Sequence, residues 1–395
     1  MMISDVVILV GGLGTRLGSI TKETPKPLIK INNTSFLNQL ISKLLKYNFK
    51  NIYLMCSYKK EKFFDEFNNK IIHKTKIICI DEGNAMGTGG ALFKIRKKIK
   101  KNFILLNGDT FFDIDFNILN NKKLNRNSIF MCITHKKNTI NNFKLNNLLI
   151  KKDRISFSQK KTNLINGGIY IINRDILQSI ENKYSSFEND ILSKEIRKNK
   201  VIGKVFDDNF IDIGSPKKLN YLKKNPDIIQ NKCFFLDRDG VINKECGYIL
   251  NFRNFIFLNG VKRAIKYLNE RRYLVIVITN QAAIGKGIIS EKKLELIHAK
   301  MKKNLYLANN AYIDDIYYSP YYKDSKIHKY RKNKYDRKPN PGMIFKAKKK
   351  WNINLSSSFF IGDKLTDKQA SSNSNLGFYY KKNVSLYKQI KSIIK

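Results

Sequence analysis

VVILVGGLGTRL, residues 6–17, is an apolar run followed by a glycine-rich loop. The run predicts a buried β-strand. Gly11, Gly12 and Gly14 let the loop backbone approach an anion, because glycine has no Cβ and accepts a positive φ. A dinucleotide-binding fingerprint would carry a third glycine where Leu17 stands, and a P-loop would carry Gly-Lys-Ser/Thr, so both patterns are excluded. The stretch therefore predicts a phosphate-binding turn at the end of a strand.

Cationic side chains follow this loop closely in the sequence. Thr15 and Arg16 complete the loop itself, and Lys26 lies in TKETPKPL a few residues later. Two cations beside a glycine-rich turn can offset the charge of a triphosphate and the charge that builds up on a leaving pyrophosphate. Either cation alone would more often be a solvated surface residue, so the prediction depends on both lying beside the loop.

Apolar runs alternate with amphipathic helical patterns along the whole chain, which predicts βαβ units. The predicted strands of the first half are VVILV, NIYLMCS, KIICID, NFILLNGD and GGIYIIN, with FLNQLISKLLKYN as a helix; those of the second half are CFFLD, YLVIVIT, DDIYYS and SFFIGD. A charged stretch at 215–232, whose periodic leucines predict a terminal helix, separates the halves. We expect an α/β protein of two domains, residues 1–226 and 227–395, each with a mainly parallel sheet flanked by helices.

Length and composition agree with that division. The chain has 395 residues, more than a single core usually organises, and 42% of them are hydrophobic. The net charge of +43 is mostly lysine spread over both halves, so it suits anionic substrates and requires no nucleic acid.

No apolar run approaches the ~20 residues that span a bilayer, and the N-terminus lacks the pattern of a signal peptide. We expect a cytoplasmic protein without membrane insertion, and its oligomeric state stays open.

A second polar cluster begins with FLDRDGV, residues 235–241, where Asp237 ends an apolar run and Asp239 follows in the turn. Ligands of parallel sheets bind at the carboxyl ends of the strands. Thr279 ends a second predicted strand, and Asp363 and Lys364 follow a third. We expect these residues, and Lys338 in a neighbouring loop, on the same side of the sheet. A carboxylate can attack an anionic phosphate only where cations neutralise both, so this set predicts phosphoryl transfer.

The first half resembles the sugar-1-phosphate nucleotidyltransferases over residues 3–222. The motifs that carry the resemblance are, in order, GGLGTRL, PKPL, MGTGGAL, NGD, NGGIY and FIDIGSP. The resemblance implies a Rossmann-like fold, catalytic roles for Arg16 and Lys26, and Mg²⁺ bound by Asp109 and Asp212, whose hard oxygens suit this ion. It assigns nucleotide binding to Gly11, Gly12, Gly14, Thr15, Gly87, Thr88 and Gly89, and sugar binding to Gly167, Gly168 and Lys160. Where relatives carry Glu-Lys, this chain has Gln159-Lys160, so a sugar-contacting carboxylate is lost.

The second half resembles the haloacid dehalogenase superfamily of phosphatases over residues 232–380. The resemblance implies that Asp237 is the nucleophile and that Asp239 protonates the leaving oxygen and then activates water. It assigns the phosphoryl oxygens to Thr279 and Lys338, and Mg²⁺ to a set made of Asp237, Asp239 and Asp363. FLDRDGVINKECGY and TNQAAIGKG are similar to the heptose-bisphosphate and histidinol-phosphate phosphatase subgroup. That likeness adds substrate contacts from Asn280, Arg337, Lys338 and Lys364.

One part of the second half departs from the subgroup. Relatives hold zinc in a loop of Cys-x-His followed by Cys-x-Cys before Arg-Lys-Pro. The corresponding positions here are Ser319, Tyr321, Lys334 and Asp336. Because neither a thiolate nor an imidazole remains at them, we expect no zinc.

The two resemblances together imply consecutive reactions on one sugar. A phosphatase would remove the 7-phosphate of D-glycero-D-manno-heptose 1,7-bisphosphate, and a transferase would join the 1-phosphate to a nucleotide, with GTP as the expected donor, for surface polysaccharide. One alternative is a pair acting on another sugar phosphate, such as a mannose-like hexose. Another is that one half is a non-catalytic regulatory module.

Overall fold

The computed structural model describes residues 3–47, 49–72, 74–120, 122, 124–126, 128–136, 148–332 and 334–394. The chain forms two compact units, Met1–Ile229 and Gln230–Lys395. Within the described ranges, every helix is too short or too polar to cross a bilayer.

The first unit contains fourteen strands and seven α-helices among its described residues. Its strands are β1 (Asp5–Leu9), β2 (Lys30–Ile31), β3 (Thr34–Ser35), β4 (Asn51–Cys56), β5 (Ile71–Ile72), β6 (Thr75–Asp81), β7 (Phe103–Asn107), β8 (Thr110–Phe112), β9 (Ile129–His135), β10 (Leu148–Lys151), β11 (Arg154–Phe157), β12 (Leu164–Ile172), β13 (Val201–Val205) and β14 (Phe210–Asp212). Its helices are α1 (Ile20–Glu23), α2 (Phe36–Leu44), α3 (Lys60–Phe67), α4 (Gly87–Ile95), α5 (Phe116–Asn120), α6 (Ser193–Arg197) and α7 (Pro216–Lys224).

A ten-stranded sheet organises this unit, in the order β10-β11-β13-β9-β12-β7-β1-β4-β6-β5. Strands β7, β1, β4 and β6 run parallel, which confirms the predicted α/β class. Strand β12 runs antiparallel between β7 and β9, so the sheet is mixed beyond its parallel centre. Strands β9 and β13, which the sequence patterns did not indicate, extend it further.

Side chains of β1 alternate between two hydrophobic cores. Val6 and Ile8 pack into one cluster and Val7 into the other, and all three are fully buried. A strand covered on both faces by helices reads as a continuous apolar run, which is why VVILV carries no polar alternation. The two cores fix the position of β1, and its carboxyl end therefore presents the glycine-rich loop from a rigid support.

The second unit is smaller and its sheet is wholly parallel, in the order β17-β16-β15-β18-β19. Its strands are β15 (Cys233–Leu236), β16 (Leu274–Asn280), β17 (Asp315–Ser319), β18 (Phe359–Gly362) and β19 (Gly377–Tyr380). Its helices are α8 (Val261–Glu270), α9 (Ala282–Gly285), α10 (Glu291–Asn309), α11 (Gly342–Trp351), α12 (Leu365–Ser372) and α13 (Leu386–Ile393). Because neighbouring parallel strands end at the same edge, the residues after β15, β16 and β18 meet there.

Candidate active sites

The first unit contains a cavity of about 520 Å³ over the carboxyl ends of its central strands. The glycine-rich loop forms one wall, where Gly14 adopts a φ of 68° that a residue with a Cβ rarely takes. The predicted residues that line the cavity are Gly11, Gly12, Gly14, Thr15, Arg16, Lys26, Gly87, Thr88 and Asp109. The tertiary structure thus gathers residues of four separate sequence motifs around one space.

An ion pair lies at the floor of this cavity. Nζ of Lys26 is 2.9 Å from Oδ2 of Asp109, and both groups are largely shielded from solvent. Burial by itself would raise the pKa of Asp109, but Lys26 and a hydrogen bond from Thr110 outweigh it and leave the pKa below its usual range. Asp109 is therefore held as a carboxylate, the form that binds a divalent cation.

Asp212 reaches the same region through strand pairing. Strand β14 pairs antiparallel with β8, which sets Asp212 opposite Thr110, and the amide of Ile213 donates to the carbonyl of Asp109 at 2.9 Å. The Asp212 carboxylate accepts hydrogen bonds from Nζ of Lys218 at 2.6 Å and from the amide of Gly214 at 2.7 Å. Asp109, in the turn before β8, and Asp212, at the end of β14, are thus brought close together, although Asp212 does not line the cavity itself.

The MGTGGAL motif forms the start of α4 and packs closely against the segment after residue 183. The amide of Gly89 donates to the carbonyl of Ser185 at 2.8 Å, and the amide of Phe187 donates to Oγ1 of Thr88 at 2.8 Å. Gly87 has a φ of 72°, and a Cβ there would lie 2.4 Å from the carbonyl oxygen of Ser185. These glycines allow a close contact between the start of α4 and this segment at the rim of the cavity. Gly87 lines the cavity, whereas Gly89 takes part in the contact but does not line the cavity.

The residues predicted for the sugar lie outside the cavity lining. Gly167 and Gly168 form an irregularity in β12, and a Cβ on Gly168 would lie 3.1 Å from Nδ2 of Asn107, which does line the cavity. Lys160 is exposed and its backbone amide bonds to the side chain of Ser158. Gly168 thus supports the cavity wall through Asn107, while Lys160 is not brought to it.

The cavity residues that the sequence analysis missed include Glu82, Asn107 and Glu188. Oε1 of Glu188 accepts hydrogen bonds from Nδ2 of Asn107 and from the hydroxyl of Tyr170, each at 3.2 Å. Glu188 therefore places a carboxylate in the cavity. This chain has Gln159 at the position where relatives carry a sugar-contacting glutamate. Glu82 directly follows the predicted strand KIICID, and Asn107 lies near the end of the predicted strand NFILLNGD. A position at the carboxyl end of a strand could therefore have indicated both as site residues. Glu188 had no such signal.

In the second unit Lys338 joins two acids at the carboxyl edge of the sheet. Its Nζ lies 2.8 Å from Oδ1 of Asp237 and 2.6 Å from Oδ1 of Asp367, and donates to the carbonyl of Ile278. All three charged side chains are buried. Burial raises the pKa of Asp237 to about 6, with Lys338 acting in the opposite direction. A further positive charge beside Asp237 would keep it ionised.

A group of carboxylates at this edge can hold a metal ion. Oxygens of Asp237, Asp363 and Asp367 all lie within 4.8 Å of one another. Oδ1 of Asp363 is buried and accepts no hydrogen bond from any described residue, so it is free to act as a ligand. Hard oxygen ligands of this kind suit Mg²⁺. Asp367 was missed by the sequence analysis, although its position four residues after Asp363, in the first turn of α12, was a usable signal.

The carboxylate of Asp239 is not part of that group. It accepts hydrogen bonds from the guanidinium of Arg238, at 2.9 Å to each oxygen, and from Asn243 and Gln281 at 3.0 and 2.9 Å. Burial alone would raise the pKa of Asp239, but Arg238 and the amide donors lower it below the ordinary value. Of the three acids predicted for Mg²⁺ in this half, Asp237 and Asp363 are brought together, and Asp239 points its carboxylate to other partners.

The remaining predicted residues of the second unit surround Lys338. Thr279 is buried at the end of β16, and the side-chain amide of Asn280 exchanges two hydrogen bonds with the backbone of Lys338, at 3.0 and 3.1 Å. Arg337 donates to the carbonyl of Tyr321 at 2.7 Å. Lys364 contacts Glu245 at 2.7 Å, near the surface. The side chain of Asn280 therefore positions Lys338 in this structure.

The loop that replaces the zinc site is organised by other contacts. Lys346 pairs with Asp336 at 2.5 Å, and the ammonium of Lys334 lies 5.7 Å from the ring centre of Tyr321. Among the described residues, the one group of three or more potential metal ligands is the aspartate group at Asp237. The side chains of Tyr321, Lys334 and Asp336 thus contact other side chains of the second unit.

Comparison with known families assigns each half separately. A family model described as Nucleotidyl transferase matches residues 5–228, and one described as Polynucleotide kinase 3 phosphatase matches residues 233–387. The two matches meet close to the division between the compact units.

Individual relatives agree with this assignment. The D-glycero-alpha-D-manno-heptose 1-phosphate guanylyltransferase of Campylobacter jejuni is 40% identical over 218 residues, covering 54% of this chain and 96% of the relative. The D-glycero-alpha-D-manno-heptose-1,7-bisphosphate 7-phosphatase of Burkholderia mallei is 38% identical over 149 residues, covering 38% of this chain and 78% of the relative. The crystal structure of HddC from Yersinia pseudotuberculosis matches with a TM-score of 0.47 and 29% identity, covering 56% of this chain and 99% of that one. The family models and the two enzymes of 40% and 38% identity confirm the predicted resemblance of each half.

Proposed function

Because the chain belongs to the nucleotidyl transferase family in its first half and to the family of the heptose-bisphosphate phosphatases in its second, we propose that it performs two consecutive steps toward an activated heptose. The second unit hydrolyses the 7-phosphate of D-glycero-D-manno-heptose 1,7-bisphosphate. The first unit then converts the heptose 1-phosphate and GTP to GDP-heptose and pyrophosphate.

In the phosphatase step, an oxygen of Asp237 attacks the phosphorus and the bond to the sugar O7 breaks, which leaves an aspartyl phosphate. Asp239 supplies the proton to the departing O7 and then takes one from the water that hydrolyses the intermediate. A phosphate dianion beside Asp239 raises its pKa through repulsion between like charges, so the acid can acquire that proton on substrate binding. Lys338 stabilises the charge on the transferred group from its position against Asp237.

In the transferase step, an oxygen of the sugar phosphate attacks the α-phosphorus of the nucleotide and pyrophosphate leaves. The loop of Gly11, Gly12 and Gly14 offers backbone amides to the phosphates, and Arg16 and Lys26 stabilise the charge on the pyrophosphate. Both cations line the cavity with this loop. The single observation that supports the proposal most is this convergence of cations and carboxylates at each of two strand-end sites in one chain.

Mg²⁺ fits both sites as a bound cofactor, and zinc does not fit the altered loop. In the first unit Asp109 and Asp212 would hold Mg²⁺, and in the second Asp237, Asp363 and Asp367 would do so. Bound there, the ion would neutralise phosphate charge and orient the reacting groups. The buried, unbonded oxygen of Asp363 supports this assignment for the second unit.

The test is a single incubation of the purified chain with heptose 1,7-bisphosphate and GTP, followed by mass spectrometry. We expect phosphate release first and GDP-heptose with pyrophosphate afterwards. The relatives of the transferase unit act on the alpha anomer, whereas those of the phosphatase unit include enzymes for both anomers, so alpha and beta substrates are assayed separately. Turnover of hexose phosphates but no heptose phosphate would contradict the proposed substrate.

A further inference from the structure

His298 is a buried histidine that neither proposed reaction uses. It lies in α10, is 5% exposed, and stands with Ile297 and Met301 among the buried residues of that helix. Nε2 of His298 lies 3.2 Å from Nη1 of Arg238, and Arg238 is itself only 1% exposed. The contact therefore joins α10 to the turn that carries the proposed nucleophile and general acid.

The guanidinium of Arg238 determines the form of this imidazole. Every nitrogen of an arginine side chain is a donor, so Nε2 of His298 accepts the hydrogen bond and carries no proton. Burial and the charge of Arg238 lower the pKa of His298 to about 3, which keeps the ring neutral. A neutral acceptor satisfies Nη1 of Arg238 and does not compete for its positive charge, as a carboxylate at this position would.

The other side of the same guanidinium holds Asp239. Nη2 of Arg238 donates at 2.9 Å to each carboxylate oxygen of Asp239, and Nε donates to Oδ1 at 3.1 Å. Nε2 of Gln281 donates to Oδ2 of Asp239 and to the hydroxyl of Thr279, both at 2.9 Å, so the carboxylate lies beside the proposed phosphoryl pocket. Because a guanidinium is planar and rigid, fixing Nη1 at His298 also fixes the edge that Arg238 turns to Asp239.

We propose that His298 is a positioning residue of the phosphatase reaction, which holds the guanidinium of Arg238 so that Asp239 is aligned with the leaving oxygen. The inference rests on the phosphatase reaction proposed above and adds a residue that acts on it through Arg238. Without His298, Nη1 of Arg238 would be a buried donor without this acceptor, a cost that favours rotation of the guanidinium toward another one. Asp239 would then lose its alignment for proton transfer, while Asp237 and Lys338 would keep their contact.

The experiment compares phosphate esters that differ in their need for a proton. A sugar alkoxide leaves readily only when an acid protonates it, whereas p-nitrophenolate is a stable anion that leaves without a proton. The value of kcat/KM reports the steps up to cleavage of the ester bond, so the later hydrolysis of the aspartyl phosphate does not affect it. It is measured with Mg²⁺ in the full-length chain for heptose 1,7-bisphosphate, a hexose 6-phosphate and p-nitrophenyl phosphate.

The two variants are His298→Asn and His298→Gln, which bury the same amide group at different distances from the backbone. The amide oxygen of glutamine can reach the place of Nε2, whereas that of asparagine ends one bond short of it. We expect His298→Asn to lower kcat/KM for the sugar phosphates about 10- to 100-fold and for p-nitrophenyl phosphate by less than about 3-fold, because only the former need general acid catalysis. His298→Gln should recover most of the loss.

Met301→Ala is the control, because it removes packing from α10 but none of the hydrogen bonds of Arg238. Any loss it causes should be equal for all three esters. The inference is overturned if His298→Asn also loses activity equally on all of them, or if His298→Gln shows the same selective loss as His298→Asn.

Wild type supplies a measurement that needs no variant. The chain has four histidines, so ¹⁵N-histidine labelling and NMR can identify the tautomer of His298 at neutral pH. We expect a proton on Nδ1 and none on Nε2, and a protonated Nε2 would overturn the inference even if both variants failed to fold. A selective loss on hexose 6-phosphate, without turnover of the heptose bisphosphate by wild type, would contradict the proposed substrate and support the role of His298.

Discussion

The ammonium of Lys338 lies 2.8 Å from the carboxylate of Asp237, so the proposed nucleophile and the cation that would receive the phosphoryl charge are already in contact. Replacing Asp237 by Asn removes the nucleophilic oxygen and one negative partner of Lys338. We expect phosphate release to fall by about 10³-fold or more. Pyrophosphate release, assayed with heptose 1-phosphate supplied directly, should be unchanged.

The reciprocal change is Asp109→Asn in the first unit, where the partner of Lys26 loses its charge. Pyrophosphate release should fall by roughly 10²-fold or more, because a carboxylate of the proposed Mg²⁺ site is lost, while phosphate release continues. Separate colorimetric assays of the two products measure both effects. Loss of both activities in either variant would contradict the independence of the two sites.

Asp367 gives a prediction that the sequence motifs did not. Its carboxylate contacts Lys338 and accepts the backbone amides of Asp363 and Lys364 at 3.1 and 3.0 Å. Asp367→Asn weakens the hold on Lys338 and the metal group, so we expect phosphatase activity about 10- to 100-fold lower and a higher Mg²⁺ requirement. Titration of phosphate release with Mg²⁺ measures this. A magnesium curve identical to that of wild type would assign Asp367 a purely structural role.

A comparison of two glycines distinguishes the cost of a positive φ from the cost of a steric clash. Gly83 and Gly87 have φ values of 71° and 72°, but a Cβ meets nothing within 4 Å at Gly83 and lies 2.4 Å from the carbonyl oxygen of Ser185 at Gly87. Gly83→Ala should cost about 1 kcal/mol through the positive φ alone. Gly87→Ala should cost about 1–3 kcal/mol more, because the rim of the cavity must move. Urea unfolding measures both variants, and equal losses would contradict the crowding argument.

The raised pKa of Glu82 predicts how stability depends on pH in the absence of nucleotide. The unfolded value is 4.5 and burial raises the folded value to about 7. The folded state therefore binds the proton more tightly, and this contribution is complete below pH 4.5 and is lost as the pH rises to about 7. Relative to Glu82→Gln, wild type should lose up to about 3 kcal/mol of unfolding free energy across that window. Parallel stability curves for the two proteins would contradict the assignment.

Metal removal distinguishes magnesium from zinc chemistry. EDTA should abolish phosphate and pyrophosphate release, and added Mg²⁺ should restore both. A chelator selective for zinc should leave both activities and the melting temperature unchanged, because Ser319, Tyr321, Lys334 and Asp336 offer neither thiolate nor imidazole ligands. Loss of phosphatase activity with the zinc chelator alone would show that another zinc site exists.

Much of the fold could be predicted because the relevant signals are local. The apolar run of β1, the glycines after it and the DRDG turn after β15 each lie within a dozen residues, and strand ends in a parallel sheet converge at one edge. The antiparallel direction of strand β12 could not be predicted from the sequence, because it depends on the positions of β7 and β9. The apolar pattern GGIYIIN fits either direction.

The sequence by itself determined which two classes of site lie at the strand ends and which types of residue they contain. It also determined that the zinc ligands are lost, because each of these features depends on a short motif. Only the tertiary structure decided which side chains meet. Lys26 and Asp109 are 83 residues apart and touch because β1 and β7 are neighbours in the sheet. Asp239 turns its carboxylate to Arg238, and Glu82 lines the cavity of the first unit. Contacts of this kind depend on sheet order and burial, which no local pattern encodes.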